Sequence, residues 1–165
     1  MVVLDRPRLV LRLVLIAVAL TASGCGDPPG PSPEQTAVFE QAVDAELVVQ
    51  AVKNAMRYET ERIEAPEGAT VRLVMDNRAT TSPAMVHNVV VLTDPAAVER
   101  VGQAAATAPD NIPEDDAILT YTPLTGPGER TAVVFTMPPA GSYSFLCTWP
   151  GHWATMQGTL VSTPR

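Results

Sequence analysis

Thr131-Ala132-Val133-Val134-Phe135-Thr136 and Ser142-Tyr143-Ser144-Phe145-Leu146-Cys147 are two short β-prone runs separated by the turn Pro138-Pro139-Ala140-Gly141. A third run, Gly158 to Ser162, follows a loop rich in turn residues. Two strands joined by a proline–glycine turn, with another soon after, read as neighbouring strands of an antiparallel sheet. Working outward, Leu47 to Val52 is a β-branched run. Val71-Arg72-Leu73-Val74-Met75 alternates before the turn-prone Asp76-Asn77, and Val86 to Leu92 is apolar. Glu67-Gly68, Thr93-Asp94-Pro95 and Gly126-Pro127-Gly128 punctuate them. The pattern predicts an all-β domain, a Greek-key sandwich or barrel of about seven or eight strands. One insertion interrupts it. Asp94 is a good N-cap, Pro95 suits the first helical position, and the alanine-rich stretch from Ala96 to Ala106 predicts a helical flap ending before Pro109.

The chain has 165 residues, 46% of them hydrophobic and 18% charged, with a formal net charge of −7. That is enough apolar content for a packed core, and too few basic residues for nucleic-acid binding. The first 24 residues carry Arg6, Arg8 and Arg12 against Asp5; without them the 11 basic and 18 acidic residues become 8 and 17, a net −9. Such a body repels DNA and anionic lipid.

The N-terminus reads as an address. The three arginines precede the apolar or small run Leu13 to Ala22, which is too short for a bilayer span of ~20 residues and fits a signal peptide. The run ends in Ala22-Ser23-Gly24-Cys25, which resembles the lipobox of bacterial lipoproteins, although Ala22 stands where that pattern prefers leucine. The resemblance implies export, lipidation of Cys25 and a membrane anchor, with Gly26 after the cysteine favouring the outer membrane or cell surface. Residues 25–44 read as a tether, since Pro28, Pro29, Pro31 and Pro33 exclude regular structure there. Glu34 to Asp44 has weak helical spacing and reads as a short helix or as more linker. The domain proper is predicted over residues 45–165.

The chemistry-bearing residues are few. Both histidines of the chain fall in suggestive places, His87 in Met85-Val86-His87-Asn88-Val89 and His152 in the loop after Cys147. That loop has the spacing Cys147-x4-His152-x3-Met156, and Pro150-Gly151 turns the chain back between them. Two imidazoles, a thiolate and a thioether are the ligand set of blue-copper electron-transfer sites. Copper(I) favours soft sulfur and copper(II) favours nitrogen, so a His2Cys plane with a weak axial methionine is acceptable to both. Each residue alone has a plainer reading: a strand histidine packed in the core, a methionine filling it, an inert buried thiol, or a Cys–His nucleophile. Structural zinc sites rarely use methionine.

In spacing and residue type this loop resembles the copper-binding loop of the azurin and auracyanin branch of the cupredoxins. The shared elements are the Cys147-Thr148-aromatic-Pro150-Gly151-His152 turn and Met156 followed after one residue by Gly158. Met85-x-His87-Asn88 and the segment Leu124, Gly126, Gly128, Glu129 are similar too, and the likeness spans roughly residues 45 to 163. It implies a copper ion with His87, Cys147 and His152 as equatorial ligands and Met156 as the axial one. Asn88 and Thr148 would tie the two ligand segments together, and the amides of Asn88 and Trp149 would donate to the thiolate. Two features depart from the azurin pattern: Val86 stands where azurins have a glycine, and no cysteine is left for their disulfide.

The resemblance implies a non-enzymatic, monomeric carrier of single electrons between membrane-bound or periplasmic redox proteins, such as a cytochrome or a copper enzyme, with no small-molecule substrate. Copper delivery, storage or sensing on the same fold is the alternative, and a metal-free interaction domain a third reading. Met85, Pro150 and Trp153 are candidates for an apolar docking patch around His152; Trp149 reads equally as packing under the loop. The acidic residues Glu59, Glu61, Glu64, Glu67 and Glu114-Asp115-Asp116 are either a steering surface for a basic partner or simply solvated.

Overall fold

The computed structural model describes residues 32–165; the expected signal peptide, Cys25 and the proline-rich start of the expected tether lie outside them. Among the described residues eight strands form two sheets. In the smaller, β3 (Thr70–Asp76) lies between β1 (Ala45–Gln50), parallel to it, and β6 (Arg130–Thr136), antiparallel. In the larger the order is β2 (Arg62–Pro66), β8 (Gln157–Thr163), β7 (Gly141–Leu146), β4 (Val90–Leu92), β5 (Ile118–Tyr121). The all-β sandwich read from the sequence is what forms. The predicted first strand begins two residues earlier than expected, and of the run Val86 to Leu92 only the last three residues join the ladder.

Period-two burial shows which faces meet. On β2, Ile63 and Ala65 are buried while Arg62, Glu64 and Pro66 are exposed. They join Leu47, Val49, Val71, Leu73, Val91, Phe145 and Leu160 in one core between the sheets. β4 has no exposed face, because a second cluster (Val90, Leu92, Ala97, Val101, Ala117, Leu146) covers its far side. That explains the unbroken apolar sequence Val89 to Leu92, as a strand buried on both faces needs no alternation.

The flap supplies this second cover. Asp94 caps it, its carboxylate accepting from the Ala96 amide at 2.9 Å. A 3-10 turn over Pro95–Ala97 leads into helix α2 (Val98–Ala104) and then further 3-10 turns to Asn111, a segmented version of the predicted helix. Arg100 grips Asp115 with two hydrogen bonds of 2.8 Å, fastening the flap to the chain before β5.

Of the two readings of Glu34 to Asp44, a short helix or more linker, the helix forms, and it begins at Pro33. Pro33–Glu40 is a helix, α1, with Ser32 as N-cap and Pro33 in its first turn. It lies against β6, an edge strand of the smaller sheet. The Gln35 side chain accepts from the Ala132 amide at 2.7 Å and donates to the Ala132 carbonyl at 3.3 Å, as a neighbouring strand would. Phe39 is flanked by the guanidinium groups of Arg72 and Arg130, 6.0 and 5.4 Å from its ring centre. A helix packed on β6 thus precedes β1. The helix face alone is too weakly amphipathic to announce this, because a side-chain amide and an aromatic ring between cations hold it in place.

Candidate metal centre

The loop from Cys147 to Met156 is closed by its own backbone. Cys147 follows the last residue of β7, and its amide donates to the Met156 carbonyl at 3.0 Å. The amide of His152 reaches the Trp149 carbonyl at 3.0 Å, and that of Met156 reaches the His152 carbonyl at 2.9 Å. Pro150-Gly151 makes the tight turn between them. Gly158 two residues on is required by contact: a Cβ there would lie 2.2 Å from the ring of Phe145, the residue it faces across β7 and β8.

His87 arrives from elsewhere. Its amide and carbonyl pair with the carbonyl and amide of Thr125 at 3.1 and 2.7 Å. The fully buried Asn77 fixes both sides of this bridge, donating from its side chain to the carbonyls of Met85 (2.9 Å) and Thr125 (3.0 Å). Asn88 then joins the two ligand segments. Its side chain donates to the Thr148 hydroxyl and accepts from the Thr148 amide, each at 2.8 Å. Its carbonyl accepts from the hydroxyl of Tyr58, a phenol with 1% exposure.

These supports bring the Cys147 thiol sulfur 3.9 Å from His87 Nδ1 and 3.7 Å from His152 Nδ1, with the two imidazole nitrogens 3.2 Å apart. The three residues are buried, and Met156, packed in the core beside them, has no exposed surface. Burial pushes the thiol up to about 11, although the amides of Asn88 and Trp149 both donate to the sulfur and oppose that rise. Burial, then the charge of His152, brings His87 down to about 4, and burial lowers His152 as well. Both imidazoles are thus neutral near pH 7 and offer lone pairs, the form in which histidine binds a metal. Nε2 of His87, on the far side of the ring, is buried with no hydrogen-bond partner among the described residues. The triangle has the size of three donors about 2 Å from a shared ion. Nitrogen, thiolate and thioether donors in a dry pocket suit copper, whose charge also stabilises the ionised sulfur.

The other candidates sort by contact. Thr148 and Asn88 form the expected bridge. Trp149 is half-buried against the main core, Met85 is half-buried and Pro150 exposed. Trp153 lies on the flap: at Gly102 of α2 an added Cβ would sit 2.3 Å from its ring, so its side chain anchors loop to helix. Beside the loop, Thr155 donates to the carbonyl of Met56, whose side chain is 45% exposed. The acidic residues are partly engaged, Glu64 with Arg62, Asp115 with Arg100 and Glu67 with the Ala140 amide. Sequence reasoning did not single out Tyr58, Asn77 as a support, or Thr125. Tyr58 sits in an irregular stretch with no periodicity, and a buried asparagine after a strand looks like any turn asparagine.

A two-sheet sandwich that gathers two imidazoles, a thiol and a methionine at one end defines a copper-binding protein of the cupredoxin class. The family model for copper binding proteins of the plastocyanin/azurin family matches residues 45–162, and the chain belongs to that family. It is 28% identical over 159 residues to auracyanin-A of Chloroflexus aurantiacus, covering 93% of this chain and 96% of that protein. The solved structure of auracyanin A, described as a blue copper protein, superposes with a TM-score of 0.62 at 27% identity, over 72% of this chain and 98% of that one. Auracyanin-B of the same organism is 33% identical over 122 residues, 70% of this chain and 51% of that protein, so the chain spans about half its length. Dithionite-reduced auracyanin from Roseiflexus castenholzii superposes with a TM-score of 0.65 at 28% identity, covering 75% of this chain and all of that one. Copper is the cofactor, and the protein is a blue copper electron-transfer protein in the general sense of the family.

Proposed function

We propose that the chain holds one copper ion, with His87, Cys147 and His152 as equatorial ligands and Met156 as the axial one, and carries single electrons between redox proteins outside the cytoplasm. The observation that carries this reading is the buried Nδ1, Nδ1, Sγ triangle with edges of 3.2, 3.7 and 3.9 Å. When bound, copper supplies a one-electron couple through its two oxidation states. The chain's part is to keep donors and surroundings nearly still when the charge changes. The closed loop fixes three of the residues, and the Asn88–Thr148 pair fixes the fourth against them. The amides of Asn88 and Trp149 draw charge from the sulfur, and the core excludes water.

His152 is the ligand in the surface loop; Pro150 is exposed in that loop, Met56 is hydrogen-bonded to it, and Met85 lies two residues before His87. We assign partner contact to these residues and withdraw Trp153 from the patch because the flap holds it. Small, transient apolar contacts suit an electron carrier that must release its partner. Export and lipidation at Cys25 would confine exchange to partners at a membrane surface, and mass analysis of the mature N-terminus tests that anchor.

The central test is to express residues 26–165, add copper(II) and record the visible spectrum. An intense thiolate-to-copper band, reversibly bleached by reductant and lost in Cys147→Ser, is the expected result. A colourless protein binding copper in one oxidation state only would instead favour delivery or storage.

A further inference from the structure

We propose that Tyr58 is a positioning residue of the metal centre: its hydroxyl sets Asn88 in the place from which that residue acts on Cys147 and Thr148. The inference rests on the copper reading above. Among the described residues no other group donates to the Asn88 carbonyl. Asn88 is held at three points, namely Tyr58 at its carbonyl, Thr148 at its side chain and the Cys147 sulfur at its amide. Two of these carry the chemistry, since one joins the ligand segments and the other draws charge from the sulfur. The third, the phenol, is the only one that comes from outside those segments.

Tyr58 is itself well anchored. An isolated bridge pairs it with Ala51 at the end of β1, and its ring rests tilted on Phe145, centroids 5.4 Å apart, two residues before Cys147. Phenylalanine would fill the same apolar space without the cost of burying a hydroxyl. The hydroxyl is therefore not needed to fill the space, and its one hydrogen bond is to the residue after His87. Loss of that contact leaves a buried carbonyl unpaired and frees Asn88 to relax away from the sulfur. A weaker amide-to-sulfur hydrogen bond leaves more charge on the thiolate, which favours copper(II) over copper(I).

The test is Tyr58→Phe, studied loaded and copper-free. In the loaded protein the thiolate band persists, and the ratio of copper(II) to copper(I) affinity rises roughly three- to tenfold, the upper value being about 59 mV of lower reduction potential. In the copper-free protein the Thr148 amide, which reports the Asn88 bridge, exchanges with deuterium faster by a similar factor. In an Asn88→Ala background the same Tyr58→Phe change moves the potential much less, because the residue it positions has lost its bridge. If Tyr58→Phe lowers only thermal stability, with potential and Thr148 exchange unchanged, the phenol is core filling and the inference fails. If the wild-type chain shows no thiolate band, the copper reading has failed instead, and the copper-free exchange experiment still reports on Tyr58.

Discussion

The two segments that meet at the metal centre are built in opposite ways. The loop Cys147 to Met156 brings three of the four side chains and closes on itself, through hydrogen bonds between residues of the loop. The segment Met85 to Asn88 brings one and has almost no local support. Its bonds run to Asn77, eight residues away, to Tyr58, thirty away, and to Thr148, sixty away. A ligand set that is local in sequence is preorganised by spacing; a remote ligand is placed only by the finished fold. The remote half should therefore be the fragile one.

Asn77→Ala attacks that half alone and should have the largest effect. It leaves the Met85 carbonyl without a donor and takes one of two donors from the buried Thr125 carbonyl, which keeps the His87 amide. An unpaired carbonyl costs about 1–3 kcal/mol and a lost second hydrogen bond about 1 kcal/mol, so chemical denaturation should show a loss of about 2–4 kcal/mol. Copper titration should show weakened affinity with the loop's backbone shifts largely unchanged by NMR. Equal disturbance of both segments would erase the distinction.

Acid and base should separate the histidines from the sulfur in the copper-free protein. Above pH 6.5 His87 is neutral folded or unfolded and contributes nothing. Below it the unfolded chain takes up a proton, while the folded one resists until about 4, so stability falls through that window. At 1.36 kcal/mol per unit the loss approaches about 3 kcal/mol, and the lowered His152 adds in the same sense. Cys147 acts at the other end. Its thiol is raised from 9.0 to about 11, so stability is complete below pH 9.0 and is lost as pH rises toward 11. Urea midpoints between pH 4 and 11 should trace a plateau from roughly 6.5 to 9. Cys147→Ser should flatten only the alkaline edge.

What the sequence made legible follows the same division. The sandwich and the loop were readable because strands alternate and because a fixed spacing of Cys147, His152 and Met156 is itself the geometry. His87 stood out as one of only two histidines, and the resemblance of Met85-x-His87-Asn88, which no periodicity would have supplied, gave it a role. Asn77, Thr125 and Tyr58 stayed hidden because their roles exist only across pairs of distant residues. Helix α1 was legible only as one of two readings of Glu34 to Asp44, and its packing stayed hidden: nothing local told Gln35 that an edge strand would stand opposite. Trp153 was read as part of a surface patch because it directly follows His152, whereas the missing side chain of Gly102, fifty-one residues earlier, is what receives it.

Gly102→Ala tests whether the self-contained loop still depends on that seat. An added Cβ would meet the Trp153 ring at 2.3 to 2.7 Å, too close to keep both where they are. Overpacking of this kind costs about 1–3 kcal/mol. Because the loop is closed by its own hydrogen bonds, the thiolate band should keep its position while the melting temperature falls and the flap exchanges faster. A shifted band would show that the flap, too, holds the metal centre.

Gln35→Ala should have the smallest effect and acts on neither segment. It removes the side chain that pairs with both backbone groups of Ala132 on the edge of the smaller sheet. Solvent can reach that edge once α1 loosens, so the loss is that of exposed hydrogen bonds, about 1 kcal/mol. The spectrum and the potential should not move. The exposed edge is a template for pairing with a second chain, so slow aggregation on concentration should appear in light scattering before any change in colour. If the potential moved as well, the ordering action of Asn77 and Tyr58 would extend through β3 and β6 to the far side of the domain, and the remote ligand would depend on more of the fold than its own hydrogen bonds.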